Sequence, residues 1–137
     1  MLGKILLTLD AVGMIAGTLK ADYFSCTHIF NPRWPPHAKF HGAQTITIAV
    51  MLGVATLYYT WWPSLFPHGA TPQRVEDALG RAVIAGTLYW VAGLVATLFP
   101  GVDGVDPEFG PSGWPQMPFF TLFASLGVLG WAYETWV

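Results

Sequence analysis

Charged side chains are scarce in this sequence and make up 10 % of its 137 residues, whereas an average soluble domain carries about 25 %. Six Lys and Arg against eight Asp and Glu give a net charge of −2, which excludes a basic surface for nucleic acid. A single cysteine, Cys26, excludes an internal disulfide. Because so few charges cannot cover the exterior of a chain that is 53 % apolar, the composition predicts one domain embedded in lipid.

Four apolar stretches are long enough to cross a bilayer, which takes about 20 residues. Backbone groups in hydrocarbon must pair within their own segment, so each stretch is predicted to be a helix. We therefore expect an all-α fold: an integral membrane four-helix bundle formed by a single domain, residues 1–137. The predicted spans are about 2–19, 43–62, 78–99 and 118–137.

Short segments of the chain recur, which indicates two duplicated helix hairpins. Residues 15–19, IAGTL, recur as residues 84–88, and residues 52–54, LGV, recur as residues 126–128. Chance coincidence within a small apolar alphabet is the alternative. Four spans place both termini at one end of the bundle, called the near end, and the two long loops, 20–42 and 100–117, at the far end.

The first far-end loop is the densest polar segment and holds three of the four histidines. If a helix begins at Pro36, then His37, His41 and Gln44 share one of its faces, at positions i, i+4 and i+7. Histidine transfers protons near neutral pH, and a carboxylate can fix its tautomer. We therefore expect four catalytic residues. Asp22 and His28 would act as the base and its orienting partner, and His37 and His41 would act as the acid. The expected substrate-binding residues are Asn31, Trp34, Gln44 and Trp114.

Three functions compete for this cluster. The preferred one is a membrane enzyme that isomerises, hydrolyses or cyclises a small lipophilic molecule by proton transfer, with no cofactor. The second is a non-catalytic subunit or scaffold, in which interfacial histidines bond loop carbonyls and headgroups and Trp34 and Trp114 dock a partner. The third is a metal site held by His37, His41 and His28. The expected partners are the bilayer and a small hydrophobic molecule; a homo-oligomer is compatible with all three.

Charged residues inside the spans form a second candidate site. Asp10 lies three residues before Gly13 and shares its small-residue, inward face. A carboxylate facing hydrocarbon is costly, so we expect a buried charge pair between Asp10 and Arg81, with Glu134 close by; a proton carrier at Asp10 is the alternative. Three acids of the second far-end loop are expected to be solvated, with no cation nearby: Asp103, Asp106 and Glu108.

Residues 28–41, HIFNPRWPPHAKFH, carry a resemblance that is specific over about residues 22–44. This segment resembles the hallmark of a family of small four-span membrane proteins from fungi and bacteria, whose members often carry an acetyltransferase label. The resemblance implies an integral membrane location, the endoplasmic reticulum in a fungus or the inner membrane in a bacterium. In layout, the chain is more loosely similar to sterol-isomerase-type enzymes and to fungal membrane hydrolases that open polyketide epoxides.

Overall fold

The computed structural model describes residues 1–137 and consists of helices joined by loops, without a β-strand. Three helices are long and apolar enough to cross a membrane: α1 with the π-helical turn that continues it, α2 and α3. The four long helices are α1 (Leu2–Thr18), α2 (Pro36–Leu65), α3 (Pro72–Ala96) and α4 (Met117–Trp136); a π-helical turn spans Leu19–Tyr23 and a 3₁₀ turn spans Pro67–Gly69.

The second helix is longer than the predicted span 43–62 at both ends. It begins at Pro36, because proline suits a first helical position where its missing N–H costs nothing. It also continues through Pro63, a residue type that commonly closes a helix, and ends two residues later at Leu65. The third helix starts six residues before its predicted span, at Pro72, where the Thr71 side chain accepts a hydrogen bond from the Arg74 N–H at 3.4 Å.

The four helices pack side by side, with α1 and α3 both flanked by α2 and α4. Helix α1 therefore lies diagonally opposite α3, which is the arrangement that two duplicated hairpins require. The duplication itself stays a prediction. The matching glycines of the repeat have unlike surroundings, because Gly86 packs against Asp10 whereas a Cβ on Gly17 would meet nothing within 4 Å.

Close helix contacts occur where glycine leaves room for a neighbouring backbone. Helices α1 and α4 meet at Gly3 and Gly130: a Cβ on Gly130 would lie 2.8 Å from the carbonyl oxygen of Gly3 and 3.0 Å from Leu7. Helices α1 and α2 meet at Gly53, whose Cβ would lie 3.1 Å from the carbonyl oxygen of Ala11. Small residues at helix interfaces thus set how closely the helices approach.

The replacement Gly130→Ala tests the α1–α4 contact. We expect it to lower the free energy of unfolding by ~1–3 kcal/mol, because the added methyl group meets backbone that cannot rotate away. The matched control is Gly80→Ala in α3, where a Cβ meets nothing within 4 Å; that change should leave stability unaltered or raise it slightly. Thermal unfolding of the purified protein in detergent measures both, and equal effects would contradict the packing.

Candidate functional site

The centre of the bundle holds one carboxyl group. Asp10 is fully buried, as its predicted inward face requires, and its Oδ1 accepts a hydrogen bond from Trp90 Nε1 at 2.6 Å. Its Oδ2 has no hydrogen-bond partner and packs against the backbone of Gly86 and Gly127. Asp10 belongs to α1, so its carboxyl group joins this helix to α3 and α4.

The predicted ion pair between Asp10 and Arg81 is not formed. Asp10 lies against Gly86, five residues beyond Arg81 on α3, and five residues turn a helix through ~500°, so the two positions face directions ~140° apart. Arg81 is exposed and lies over the Tyr59 ring at 5.8 Å. Glu134 also has another partner, the amino group of Met1 at 2.5 Å.

The far end of α1 brings two predicted catalytic residues together. Asp22 lies in the π-helical turn Leu19–Tyr23, and its Oδ1 is 3.7 Å from His28 Nε2. A π-turn changes the direction of the side chains that follow it and is frequent at functional sites. His28 is held from its other side, since Thr27 Oγ1 lies 2.8 Å from His28 Nδ1 and 2.7 Å from Ser25 Oγ. The Thr27 hydroxyl therefore orients the imidazole ring, and Asp22 lies at ion-pair distance from it; we call Asp22 and His28 the dyad.

A tyrosine that no sequence motif singles out lines a cavity at the same end of the bundle as this dyad. The Tyr89 side chain approaches Thr18, the last residue of α1, from which the turn that carries Asp22 continues. Tyr89 also lines a cavity of about 530 Å³ between α2, α3 and the start of α4. Nine of the thirteen lining residues are hydrophobic, and Trp114 is one of them. A polar hydroxyl inside an apolar span is the signal that could have identified Tyr89.

His37 and His41 form a separate pair. Their Nε2 atoms are 3.1 Å apart, both side chains are exposed, and no hydrogen bond or ion pair joins them to Asp22 or His28. Gln44, one turn further on, is exposed as well. No group of three His, Cys, Asp or Glu side chains is close enough to hold a metal ion, so the structure does not assemble His28 with His37 and His41 as one ligand set.

Hydrogen bonds join the two far-end loops. Asp103, Asp106 and Glu108 are exposed, as expected of solvated acids, but Glu108 has a cation nearby, contrary to the expectation. Glu108 accepts from Arg33 Nη1 at 2.8 Å and from Asn31 Nδ2 at 3.0 Å, and Asp106 accepts from Trp34 Nε1 at 3.0 Å. We call these five residues the loop clamp. Asn31 and Trp34 are the predicted substrate-binding residues of the first loop. Their side-chain N–H groups donate to the second loop instead of being free for a substrate.

The second far-end loop has its own internal support. Asp103 accepts backbone hydrogen bonds from Gly104 at 2.6 Å and from Gly113 at 3.0 Å, and the hydroxyl of Ser112 together with these N–H groups holds the pKa of Asp103 below its usual range. Gln116 Nε2 donates to the carbonyl oxygen of Gly104 at 2.9 Å. The loop that carries Trp114 is therefore stabilised by its own hydrogen bonds as well as by those to the first loop.

Comparison with known proteins gives one match. Residues 6–136 match the family described as "Family of unknown function (DUF6640)". No curated protein and no solved structure matches the chain.

The loop clamp gives a pH-dependent prediction. Hydrogen bonds from Arg33 and Asn31 hold the pKa of Glu108 below its usual range. A lowered folded-state pKa means that the clamp stabilises the loops above the ordinary glutamate pKa of ~4.3 and that this stabilisation is lost as the pH falls through the folded value. Amide protection factors of residues 25–34 should therefore be high at neutral pH and fall in acid.

The variant Glu108→Gln should lower the same protection factors at neutral pH and remove most of their acid dependence, because its amide cannot pair with Arg33 as a carboxylate does. Glu76→Gln is the matched control, since Glu76 is exposed in α3 at the other end of the bundle. If both variants leave the loop equally protected, the clamp does not hold the loops together.

Proposed function

The chain belongs to the DUF6640 family, and we propose that it is an integral membrane enzyme that converts a small lipophilic molecule by acid–base chemistry. The membrane location is supported by three helices of spanning length and by the large hydrophobic side chains that the bundle exposes all round. The fourth span is α4, which has 20 residues and packs between α1 and α3. Together they would form a four-helix bundle in lipid.

The observation that carries the proposal is that the Asp22–His28 dyad lies at the same end of the bundle as a cavity lined by Tyr89 and Trp114. Titratable groups at the same end of a bundle as an apolar cavity are expected of a site for a hydrophobic substrate. The cavity lies between helices that would face lipid, so a lipophilic molecule could enter from the bilayer. Trp114 on the same wall supplies a flat apolar contact for it.

In an isomerisation, His28 would take a proton from one carbon of the substrate and return it to another, while Asp22 stabilises the imidazolium. In an epoxide opening, His28 would take a proton from the attacking water as Tyr89 donates its own to the epoxide oxygen. His28 then returns its proton to Tyr89, which leaves a diol and an unchanged enzyme. A cyclisation would use the Tyr89 hydroxyl as the acid and His28 as the base.

The pair His37–His41 is predicted from the sequence to act as the acid, and this role stays a prediction. Its exposure at the start of α2 suits an exchange of protons with water rather than contact with a molecule in the cavity. The looser likeness in layout to sterol isomerases and epoxide hydrolases favours the same class of reaction, whereas the resemblance of residues 28–41 to small four-span membrane proteins bears on the membrane location alone.

Isotope incorporation tests this function even though the substrate is unidentified. Proteoliposomes that contain the protein are incubated with a lipid extract in D₂O or in H₂¹⁸O, and the lipids are analysed by mass spectrometry. We expect deuterium on carbon for an isomerisation or cyclisation and ¹⁸O for a hydrolysis. Replacing His28 by Gln should reduce the incorporation ~10²–10⁴-fold, which is the usual contribution of a positioned proton-transfer group.

His37→Gln is the matched control, because it changes an exposed histidine of the same loop region. If incorporation is lost in His28→Gln but not in His37→Gln, the dyad carries the chemistry. An equal loss in both variants would show that the dyad and the pair His37–His41 act together, as the sequence predicts. No incorporation above that of empty liposomes would contradict the enzyme and favour the scaffold. In a scaffold, the histidines are dispensable and the surfaces of Trp34 and Trp114 matter.

A further inference from the structure

A second cavity, of about 440 Å³, lies at the near end, opposite the dyad. It is formed by the last turns of α2 and the first turns of α3, and its wall combines aromatic rings with charged side chains. Two arginines, Arg74 and Arg81, lie on this wall two helical turns apart. The proposed chemistry at the far end makes no use of this cavity.

Neither arginine has a carboxylate partner. No Asp or Glu oxygen lies within 4.0 Å of either guanidinium group. Arg74 Nη1 donates only to the carbonyl oxygen of Gly69, at 3.3 Å, and Arg81 lies over the Tyr59 ring at 5.8 Å. A guanidinium group has five N–H donors, so most of them remain free to bind a ligand.

The single acid on the wall is Asp77, whose Oδ1 accepts a hydrogen bond from Gln73 at 3.3 Å. The two arginines and this aspartate leave the wall with one net positive charge, which favours a ligand with one net negative charge. A zwitterionic headgroup has no net charge, so its electrostatic attraction to this wall would be weaker.

Aromatic rings indicate where the rest of the ligand lies. Tyr58, Tyr59 and Trp62 line the cavity from α2, and Tyr and Trp rings at the end of a spanning helix are typical of the headgroup level of a bilayer. Arginine binds phosphate oxygens through two parallel N–H donors, and basic pockets between spanning helices bind phospholipid headgroups. An acyl chain attached to such a headgroup would continue along the exposed apolar surface of α2, where Met51 and Val54 lie.

We propose that this near-end cavity is a binding site for the phosphate of an anionic membrane phospholipid. Arg74 and Arg81 bind the phosphate oxygens, and the rings of Tyr58 and Trp62 contact the glycerol and the upper acyl chains. This assignment rests on the membrane location proposed above and is independent of the proposed reaction.

Native mass spectrometry of the detergent-purified protein tests the site. Phosphatidylglycerol, which is anionic, and phosphatidylcholine, which is zwitterionic, are added separately, and the bound lipid is counted. We expect preferential binding of phosphatidylglycerol. Each of the variants Arg74→Gln and Arg81→Gln should weaken it about fivefold, and the double variant about 25-fold, because each interfacial cation strengthens attraction to an anionic lipid by about that factor.

The matched control is Lys20→Gln, which removes one positive charge from an exposed position at the far end. Equal weakening in this control, or equal binding of both lipids by the native chain, would overturn the proposal. Displacement of phosphatidylglycerol by inorganic phosphate at the same concentration would overturn the lipid as the source of the phosphate. The variants Arg74→Lys and Arg81→Lys keep the charge but lose the two parallel N–H donors, so they should bind phosphatidylglycerol more tightly than the Gln variants and show that the fold is intact.

Membrane insertion is measured separately, by whether the native chain remains with membranes after an alkaline wash. A protein that remains inserted but shows no lipid preference refutes this site and leaves the proposed enzyme standing. A protein that is released by the wash refutes the membrane location on which both proposals depend.

Discussion

A single buried carboxyl group constrains how the helices of this protein meet. Asp10 is fully buried and bonds to Trp90 Nε1, while its second oxygen packs against two glycines. A Cβ on Gly127 would lie 3.0 Å from that oxygen, and one on Gly86 would overlap it. An unsatisfied buried polar group costs about 1–3 kcal/mol. Sliding α3 along α1 would therefore lose the indole partner and bring side chains against the carboxyl group.

The same contact also positions the far-end site. Trp90 is the chain neighbour of Tyr89, so fixing the indole on Asp10 also holds Tyr89 near Thr18, at the end of α1 from which the turn of Asp22 continues. The loop clamp then holds the segment that carries His28 against the loop that carries Trp114. The place of Tyr89 on the cavity wall thus depends on the register between α1 and α3, and the near-end arginines lie at the opposite end of α3.

Much of the architecture could be predicted from the sequence, because apolar runs of about 20 residues leave the backbone no alternative to helix in lipid. The inward face of Asp10 followed from its spacing to Gly13. Its partner could not be predicted by charge alone: helical rotation turns Arg81 away, and an indole N–H donates to one oxygen of the carboxyl group instead. The link between Glu108 and Arg33 spans 75 residues, and no local pattern encodes such a contact. The Tyr89 hydroxyl inside an apolar span is a local signal, but the cavity that Tyr89 lines follows only from the packing of α2, α3 and α4.

A double-mutant cycle on Asp10 and Trp90 tests most directly whether this hydrogen bond fixes the register. Unfolding free energies of the native chain, Asp10→Ala, Trp90→Phe and the double variant give the coupling between the two side chains. We expect a coupling of about 1–2 kcal/mol, as for a strong side-chain hydrogen bond in a membrane protein or one to a charged group. Additive effects, within ~0.5 kcal/mol, would show that the two residues act independently and would contradict the account.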